Sequence, residues 1–424
     1  MRTLLISANT EKINMPTLPM GLGCVAAAVM AAGHDMRFLD LMAVDDWRSL
    51  LKDTLTAFAP EVIGISIRNI DDQDSRNPRF LLEEACAVVA CCKADQPVPV
   101  VLGGAGYSIF PEEVLDYTGA DMGIQGEGEA AFAALLSCLA AGHPLTDVPG
   151  LYLRGQGLQA PRSFVPELDR MPLPDPDLFD RRLADNPAYY LPVQTRRGCP
   201  LRCSYCSTSS IEGTRIRKRS PEKLVDALTR WRAAGFRRIF FVDNVFNLPS
   251  GYAQALCERI TAAGLDLNWR CILYPGQVTE ELVRAMARAG CREVSLGFES
   301  GYQPLLDAMH KRFRTADIRD ASRRLAGHGI RRTGFLLLGG PGETRASVET
   351  SLAFADALGL ETVKLTVGVR IYPHTELARI AVREGVIGAD NNLLQPRFYI
   401  APDLEAWLRE TVRAWLAERP HWVL

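Results

Sequence analysis

The chain reads RGCPLRCSYC from Arg197 to Cys206, and its three cysteines, Cys199, Cys203 and Cys206, have the spacing CxxxCxxC. Thiolates are soft ligands that suit iron–sulfur clusters or zinc. The glycine gives the backbone the freedom to wrap around a bound group. The segment is therefore a candidate metal-binding loop.

The number of available ligands separates the two kinds of metal site. A structural zinc site needs four protein ligands. The next cysteine after the loop is Cys257, and no histidine lies between His143 and His310. Three thiolates on a four-iron cluster leave one iron without a protein ligand, so that a small molecule can bind there. The spacing favours a 4Fe–4S cluster, and a structural zinc site is the alternative.

The region around the loop alternates strand and helix patterns, which indicates a parallel sheet. Six strand–helix units are fewer than a closed barrel contains. We therefore predict a partial (β/α)6 barrel over residues 188–378 and a short helical C-terminal cap over residues 379–424. The predicted strands are Tyr190–Thr195, Arg238–Val242, Asn268–Leu273, Glu293–Gly297, Gly334–Leu338 and Val363–Val369.

A second, earlier series of strands and helices fills residues 1–145. Its length and its repeated alternation predict an α/β fold with a doubly wound, Rossmann-like parallel sheet. Residues 146–187 are rich in proline and show no clear period, which predicts a semi-rigid linker. The strands predicted before it are Arg2–Ser7, Met36–Leu41, Glu61–Ile67, Pro99–Leu102 and Met122–Ile124.

The bulk composition is that of an ordinary globular protein, with 47% hydrophobic and 23% charged residues among 424. A net charge of -2 argues against nucleic-acid binding. No apolar run reaches the roughly 18 residues of a membrane span, and the N-terminus lacks a signal-peptide pattern. Eleven cysteines, an odd number without repeated spacing, do not suggest a disulfide framework. We expect a cytoplasmic enzyme.

The cysteine loop, at the end of a first parallel strand, resembles the signature of the radical S-adenosylmethionine (SAM) superfamily over residues 188–375. The resemblance implies that the three cysteines hold a 4Fe–4S cluster and that SAM, bound to the open iron, is cleaved to a 5′-deoxyadenosyl radical. It also implies a set of SAM-binding residues. These are Tyr205 at the adenine side, Asp243 and Asn244 near the amino group, Glu299 or Ser300 at the ribose, and Gly339 and Gly340 at the adenine.

The N-terminal region is similar to the cobalamin-binding domains that precede some radical SAM barrels. The resembling residues are Gly103, Gly104 and Ser108 in one turn and Gly126, Glu127 and Gly128 in another. The charged loop with Ile67, Arg68 and Asn69 follows the third strand at the same carboxyl edge, and it is a candidate contact for the corrin side chains or a solvated loop. Two positions depart from the family pattern. Gly106 stands where the first turn has a histidine, and Ala8–Asn14 contains no histidine that could ligate cobalt. A nucleotide-binding or vestigial sheet is the alternative.

The combined resemblance implies a cobalamin-dependent radical SAM enzyme. The function it favours is C-methylation of an unactivated carbon in a small-molecule or peptide substrate, with an electron donor such as flavodoxin or ferredoxin. A non-methylating radical rearrangement or cyclisation is the alternative among enzymes. A cobalamin or redox sensor is the alternative from another class. The sequence does not identify the substrate.

Overall fold

The structure is a computed structural model that describes residues 1–11, 16–95 and 97–424. The contacts divide the chain into two compact units. The first unit comprises residues 1–72, 78–190 and 208–213, and the second comprises residues 73–77, 191–207 and 214–424. Part of the histidine-free stretch after the first strand, residues 12–14, lies outside the described residues.

The first unit is built on one seven-stranded sheet. Its strands are β1 (Arg2–Ser7), β2 (Asp35–Asp40), β3 (Val62–Ser66), β4 (Val100–Gly103), β5 (Met122–Ile124), β6 (Leu151–Leu153) and β7 (Gly157–Leu158). Its helices are α1 (Met20–Ala31), α2 (Trp47–Phe58), α3 (Leu82–Asp95), α4 (Ala105–Ile109), α5 (Pro111–Thr118), α6 (Gly128–Ala141) and α7 (Thr208–Glu212).

The strand order of this sheet is β2-β1-β3-β4-β5-β6-β7. The first five strands are parallel, and β6 and β7 are antiparallel additions. The predicted doubly wound parallel sheet is therefore confirmed. In such a sheet, ligands bind beyond the carboxyl ends of the strands, where the strand order reverses. That position lies between β1 and β3.

The second unit contains another seven-stranded sheet and two short ribbons. Its strands are β8 (Leu191–Val193), β9 (Arg196–Arg197), β10 (Arg217–Lys218), β11 (Arg238–Phe241), β12 (Asn268–Leu273), β13 (Cys291–Glu299), β14 (Arg331–Leu338), β15 (Thr362–Val367), β16 (Val369–Arg370), β17 (Phe398–Tyr399) and β18 (Trp422–Val423). Its helices are α8 (Pro221–Ala233), α9 (Ser250–Ala262), α10 (Glu280–Arg288), α11 (Gln303–Ala308), α12 (Thr315–Gly327), α13 (Arg345–Ala357), α14 (Glu376–Arg383) and α15 (Glu405–Ala417).

The large sheet of this unit is entirely parallel, in the order β8-β11-β12-β13-β14-β15-β18. Alternate strand residues are buried, and an aromatic cluster packs against the sheet. The Trp269 ring lies 5.1 Å from Phe241 and 5.2 Å from Phe246, and its indole nitrogen donates to the Ala289 carbonyl. Large buried aromatic rings stabilise such a core strongly. The carboxyl ends of these strands therefore form one fixed edge.

Two predictions about the chain between and after the main strands need correction. Residues 146–187 are not a bare linker, because β6 and β7 extend the first sheet. Strands of two or three residues are too short for their periodicity to stand out in a sequence. The C-terminal residues are not wholly helical either, because β18 pairs with β15 and adds a seventh strand to the predicted six.

None of the helices in the described part of the chain is both long and apolar enough to cross a membrane.

Candidate active site

A buried carboxylate anchors the base of the cysteine loop. Asp243 follows β11 and is fully buried. Its oxygens accept hydrogen bonds from the Thr195 amide (2.7 Å) and hydroxyl (2.6 Å), and from the Arg196 amide (3.1 Å) and Nε (3.2 Å). Burial raises the pKa of Asp243, and the charge of Arg196 opposes this rise. Asp243 thus holds the backbone that leads into the loop.

This arrangement changes the role predicted for Asp243. Both of its oxygens are engaged by Thr195 and Arg196, so the carboxylate supports the cysteine loop instead of contacting the SAM amino group. Asn244, the next residue, is half-buried at the same strand end. Its assignment to SAM stays a prediction.

The cysteine loop itself is held by main-chain contacts from two later segments. The Ser204 amide donates to the Met309 carbonyl (3.3 Å), and the Ser204 carbonyl accepts from the Leu377 amide (2.9 Å). The His310 Nδ1 lies 2.9 Å from the Arg202 carbonyl oxygen. An irregular loop whose backbone groups find such partners has a defined shape before any cofactor binds.

The loop residues fit a 4Fe–4S cluster. Cys199, Cys203 and Cys206 are half-buried, and none of the eleven cysteines, all of them within the described ranges, forms a disulfide. Burial raises the pKa of the Cys203 thiol, and the nearby Lys311 opposes this rise. Across residues 1–11, 16–95 and 97–424, no three His, Cys, Asp or Glu side chains converge on a position for a single metal ion. A cluster needs no such convergence, because each thiolate binds a different iron.

Glu299 ends β13 next to the loop and has an uncommon backbone conformation, with φ of 64°. Its Oε1 accepts from the Tyr205 hydroxyl (3.0 Å) and from the Lys311 ammonium (3.3 Å). The same ammonium donates to the Tyr205 oxygen (3.0 Å). Burial lowers the pKa of Lys311, but its interactions with Glu299, Tyr205 and Cys203 together outweigh this and keep the pKa well above the usual value. The three side chains form one hydrogen-bonded group.

The two residues predicted for the ribose differ in availability. Ser300 is fully buried, and its hydroxyl lies 2.9 Å from the Ser351 hydroxyl and accepts from the Tyr302 amide (3.1 Å). It therefore stabilises the turn after β13, which leaves Glu299 as the candidate of the two for the ribose, and that assignment stays a prediction. The Oε2 of Glu299 has no hydrogen-bond partner among the described residues, so it can accept from a ligand.

A glycine turn follows β14, as predicted. Gly339 has φ of 96°, in the region that favours glycine. The amides of Gly339 and Gly340 both donate to Oε2 of the buried Glu343. Burial raises the pKa of Glu343 to about 7. The carboxylate sets the shape of this buried turn at the end of β14.

In the first unit, the predicted cobalamin turns lie at the carboxyl edge of the sheet. Gly104 has φ of 99°, and a Cβ there would lie 2.5 Å from the Ile67 carbonyl oxygen, so only glycine fits. Beside Gly103 and Gly126, by contrast, the nearest atoms to an added Cβ are 3.9 and 3.8 Å away. An added Cβ at these two positions would make only ordinary van der Waals contacts, and both turns lie at the edge where such a sheet binds a ligand, so the turns fit cobalamin.

Two other predicted cobalamin residues act inside the protein. The Ser108 hydroxyl donates to the Gly104 carbonyl (2.8 Å) and accepts from the Gly126 amide (3.0 Å), and it is fully buried. Ser108 therefore joins the two glycine turns. The Glu127 carboxylate accepts from the Val165 amide (2.8 Å), which ties the start of α6 to the segment after β7. The sequence assigned both residues to the cobalamin site, and their part in binding the cofactor stays a prediction.

The loop Ile67–Asn69 lines a small cavity together with Ala8–Glu11 and α3. The cavity therefore lies between the ends of β1 and β3, where the strand order reverses. Gly128 begins α6, and the side chain of the N-cap residue Glu127 makes no capping hydrogen bond to this helix. The N-terminal end of a helix suits a phosphate group. Both features fit the tail of a cobalamin.

The histidines of the first unit lie away from this edge. His34 precedes β2, at the amino end of that strand, and its Nδ1 lies 3.3 Å from the terminal amine of Met1. His143 follows the C-terminal end of α6. Cobalt ligation without histidine therefore stays a prediction that the placement of these residues supports.

Two family models match the chain, one on each unit. The model described as "B12 binding domain" matches residues 6–136, and the model described as "Radical SAM superfamily" matches residues 193–355. The chain therefore carries a radical SAM domain, preceded by a cobalamin-binding domain. It is an enzyme that uses a 4Fe–4S cluster, SAM and cobalamin, which confirms the sequence-based prediction.

Individual relatives are consistent with this class. The chain is 28% identical to an uncharacterised methyltransferase of Pyrococcus horikoshii, over 91% of this chain and 84% of that protein. It is 27% identical to the tryptophan 2-C-methyltransferase of Streptomyces laurentii, over 88% and 73%. The fold is similar to that of the radical SAM methyltransferase TsrM of Kitasatospora setae, with a TM-score of 0.87, 22% identity, and coverage of 99% and 90%.

Sequence reasoning missed four residues that shape the site. Thr195 and Arg196 are partners of Asp243, Glu343 supports the glycine turn, and Lys311 contacts Glu299. Glu343 follows the glycines closely enough to suggest a turn contact. Lys311 follows a short helix, α11, and no sequence signal links it to the site.

Proposed function

We propose that this enzyme transfers a methyl group from SAM to a carbon atom of a small-molecule substrate. The observation that carries the proposal is one chain with both a glycine edge that fits cobalamin and a cysteine loop that fits a 4Fe–4S cluster. Bound cobalamin supplies a methyl carrier, and the cluster supplies reductive cleavage of SAM. The methyltransferase names of the relatives support methylation over rearrangement or cyclisation.

The two units bind different cofactors. In the first unit, we assign the turns at Gly103, Gly104 and Gly126 to the corrin; Gly104 lets its turn pass close to Ile67, because a Cβ there would lie 2.5 Å from the Ile67 carbonyl oxygen. In the second unit, we assign the open oxygen of Glu299 to a SAM hydroxyl and the Gly339–Gly340 turn to the adenine. These assignments follow from the available acceptor of Glu299 and from the position of the residues at the carboxyl ends of parallel strands.

The proposed substrate is a small molecule, and the reaction needs an external electron donor such as flavodoxin or ferredoxin. Tryptophan is the first acceptor to test, because the relative from Streptomyces laurentii is named for methylating it. A peptide acceptor is the second choice.

The decisive test is anaerobic reconstitution with iron, sulfide, hydroxocobalamin and SAM that carries a deuterated methyl group. We expect a labelled methylated product together with S-adenosylhomocysteine when the acceptor is present. Formation of 5′-deoxyadenosine with an unmethylated, rearranged product would contradict methyl transfer. The electron donor is dithionite in one series of reactions and flavodoxin in the other.

The cluster assignment has its own test. We expect about four irons per chain, lost in each of Cys199→Ala, Cys203→Ala and Cys206→Ala, because each thiolate closes the cage. Cys257→Ala is the matched control, because that thiol is buried in α9. Full iron content in the triple variant would refute the assignment.

The cobalamin assignment is tested by paramagnetic resonance of the cobalt(II) form in protein grown with nitrogen-15 histidine. Because neither histidine of the first unit lies at the carboxyl edge of the sheet, we expect no splitting from a labelled axial nitrogen. Such splitting would refute histidine-free ligation. A protein that binds no cobalamin at all would refute the assignment of the first unit.

A further inference from the structure

Lys311 is a buried lysine that the methyl-transfer proposal does not use. Its side chain is only 5% exposed, although lysine is rarely buried without a partner. Its ammonium contacts Glu299 Oε1 at 3.3 Å and the Tyr205 hydroxyl at 3.0 Å. The ammonium also lies 5.3 Å from the centre of the Tyr205 ring. One charge therefore links a carboxylate at the end of β13 to the cysteine loop.

The backbone before Lys311 is attached to the same loop. The Met309 carbonyl accepts from the Ser204 amide, and the His310 ring lies 2.9 Å from the Arg202 carbonyl oxygen. These two contacts lie on either side of Cys203. The position of the ammonium relative to the cluster ligands is therefore set by the contacts of the two preceding residues as well as by its own hydrogen bonds.

Glu299 is held through only one of its two oxygens. Oε1 accepts from both Tyr205 and Lys311, whereas Oε2 bonds to no group within the described ranges. The side chain is 16% exposed, and its backbone has φ of 64°. A carboxylate fixed through one oxygen presents the other in a defined direction. That direction depends on Lys311 and Tyr205.

We propose that Lys311 is a positioning residue for SAM. Its hydrogen bond to Oε1 orients Glu299 so that Oε2 accepts from the bound SAM, and its ammonium places a positive charge beside the cluster. The inference rests on the cluster and SAM and does not require methyl transfer. A preorganised acceptor binds more tightly than one that has to be ordered during binding.

The test uses Lys311→Met, which keeps the length of the side chain and removes the charge. In anaerobically reconstituted protein without acceptor, we expect about four irons and SAM binding about tenfold weaker. We also expect the midpoint potential of the cluster to become more negative, because a nearby positive charge favours the reduced form. Lys311→Arg keeps the charge and is expected to retain most of the SAM affinity and most of the midpoint potential of the unsubstituted protein. Lys52→Met, an exposed lysine of α2, controls for the substitution itself.

A double-variant cycle with Glu299→Gln tests whether Lys311 acts through Glu299. We expect the effect of Lys311→Met on SAM affinity to become small in the Glu299→Gln background, because interacting residues are not additive. The double variant, Lys311→Met with Glu299→Gln, leaves no unpaired buried charge at this position, so it is expected to fold even if a single variant does not.

Several results would overturn the proposal. Unchanged SAM affinity with an unchanged midpoint potential in Lys311→Met would do so. If Lys311→Met weakened SAM binding equally in the unsubstituted and the Glu299→Gln protein, Lys311 would not act through Glu299. Iron loss in Lys311→Met that Lys311→Arg does not restore would indicate a purely structural role and would also refute positioning. If the unsubstituted protein binds neither four irons nor SAM, the cofactor assignment fails instead.

Discussion

Glu343 is expected to make the stability of the barrel depend on pH. A single substitution, Glu343→Gln, is expected to abolish that dependence. Its side chain is buried, and Oε2 accepts from the Gly339 and Gly340 amides. No donor among the described residues reaches Oε1. Burial raises the pKa from 4.5 to about 7. Since one pKa unit corresponds to about 1.4 kcal/mol, the ionised form costs about 3 kcal/mol in the folded state.

The direction of the pH dependence follows from whether the folded or the unfolded protein binds the proton more tightly. Folding raises the pKa of Glu343, so the folded protein binds the proton more tightly than the unfolded chain. The stability from this group is fully present below about pH 4.5, and it is lost as the pH rises through about 7. Glu343→Gln keeps a carbonyl oxygen for the two glycine amides and cannot ionise. We therefore expect the variant to be more stable than the unsubstituted protein mainly on the alkaline side.

The assay is anaerobic thermal unfolding between pH 5 and pH 8.5, followed by tryptophan fluorescence. Five of the six tryptophans lie in the second unit. A change of about 3 kcal/mol corresponds to about 6–12 °C in Tm for a domain of this size. We expect that difference at pH 8.5 and only about a quarter of it at pH 5, where the unfolded chain is already partly ionised. The control is Glu349→Gln, an exposed glutamate of α13. A difference that does not vary with pH would refute the reasoning.

Three further substitutions test the site. Asp243→Asn is expected to leave Arg196 buried without its charge partner. We therefore expect the variant to be less stable by about 3–5 kcal/mol and to retain less iron. An unchanged urea unfolding curve would contradict this. Glu299→Ala is expected to weaken SAM binding by about 1–3 kcal/mol without changing cluster absorbance, and equal affinity by equilibrium dialysis would place the contact elsewhere. Gly104→Ala is expected to abolish cobalamin retention on gel filtration, because its Cβ would lie 2.5 Å from the Ile67 oxygen, whereas Gly21→Ala meets nothing within 4 Å and should retain it.

Short motifs at strand ends allowed the sequence to predict much of the site. Cys199, Cys203 and Cys206 are close in the chain, so their spacing alone indicates a shared metal group. The glycines at 103, 104 and 339 could be found because strand-to-helix turns need backbone conformations that other residues rarely adopt. The parallel sheets were predictable because strand and helix periods alternate over long stretches.

The sequence alone determined the two-part α/β organisation, the cysteine loop and the cofactor class, because each depends on local spacing or periodicity. Only the tertiary structure decided which polar side chains remain available to a ligand. Asp243 and Ser300 have the right residue types at the right strand ends, but Arg196 and Ser351, distant in sequence, occupy their oxygens. Lys311 is brought to Glu299 by the turn after α11. The residue type determines which hydrogen bonds a side chain can make. Which of them it does make depends on the groups that folding places within about 3 Å of it.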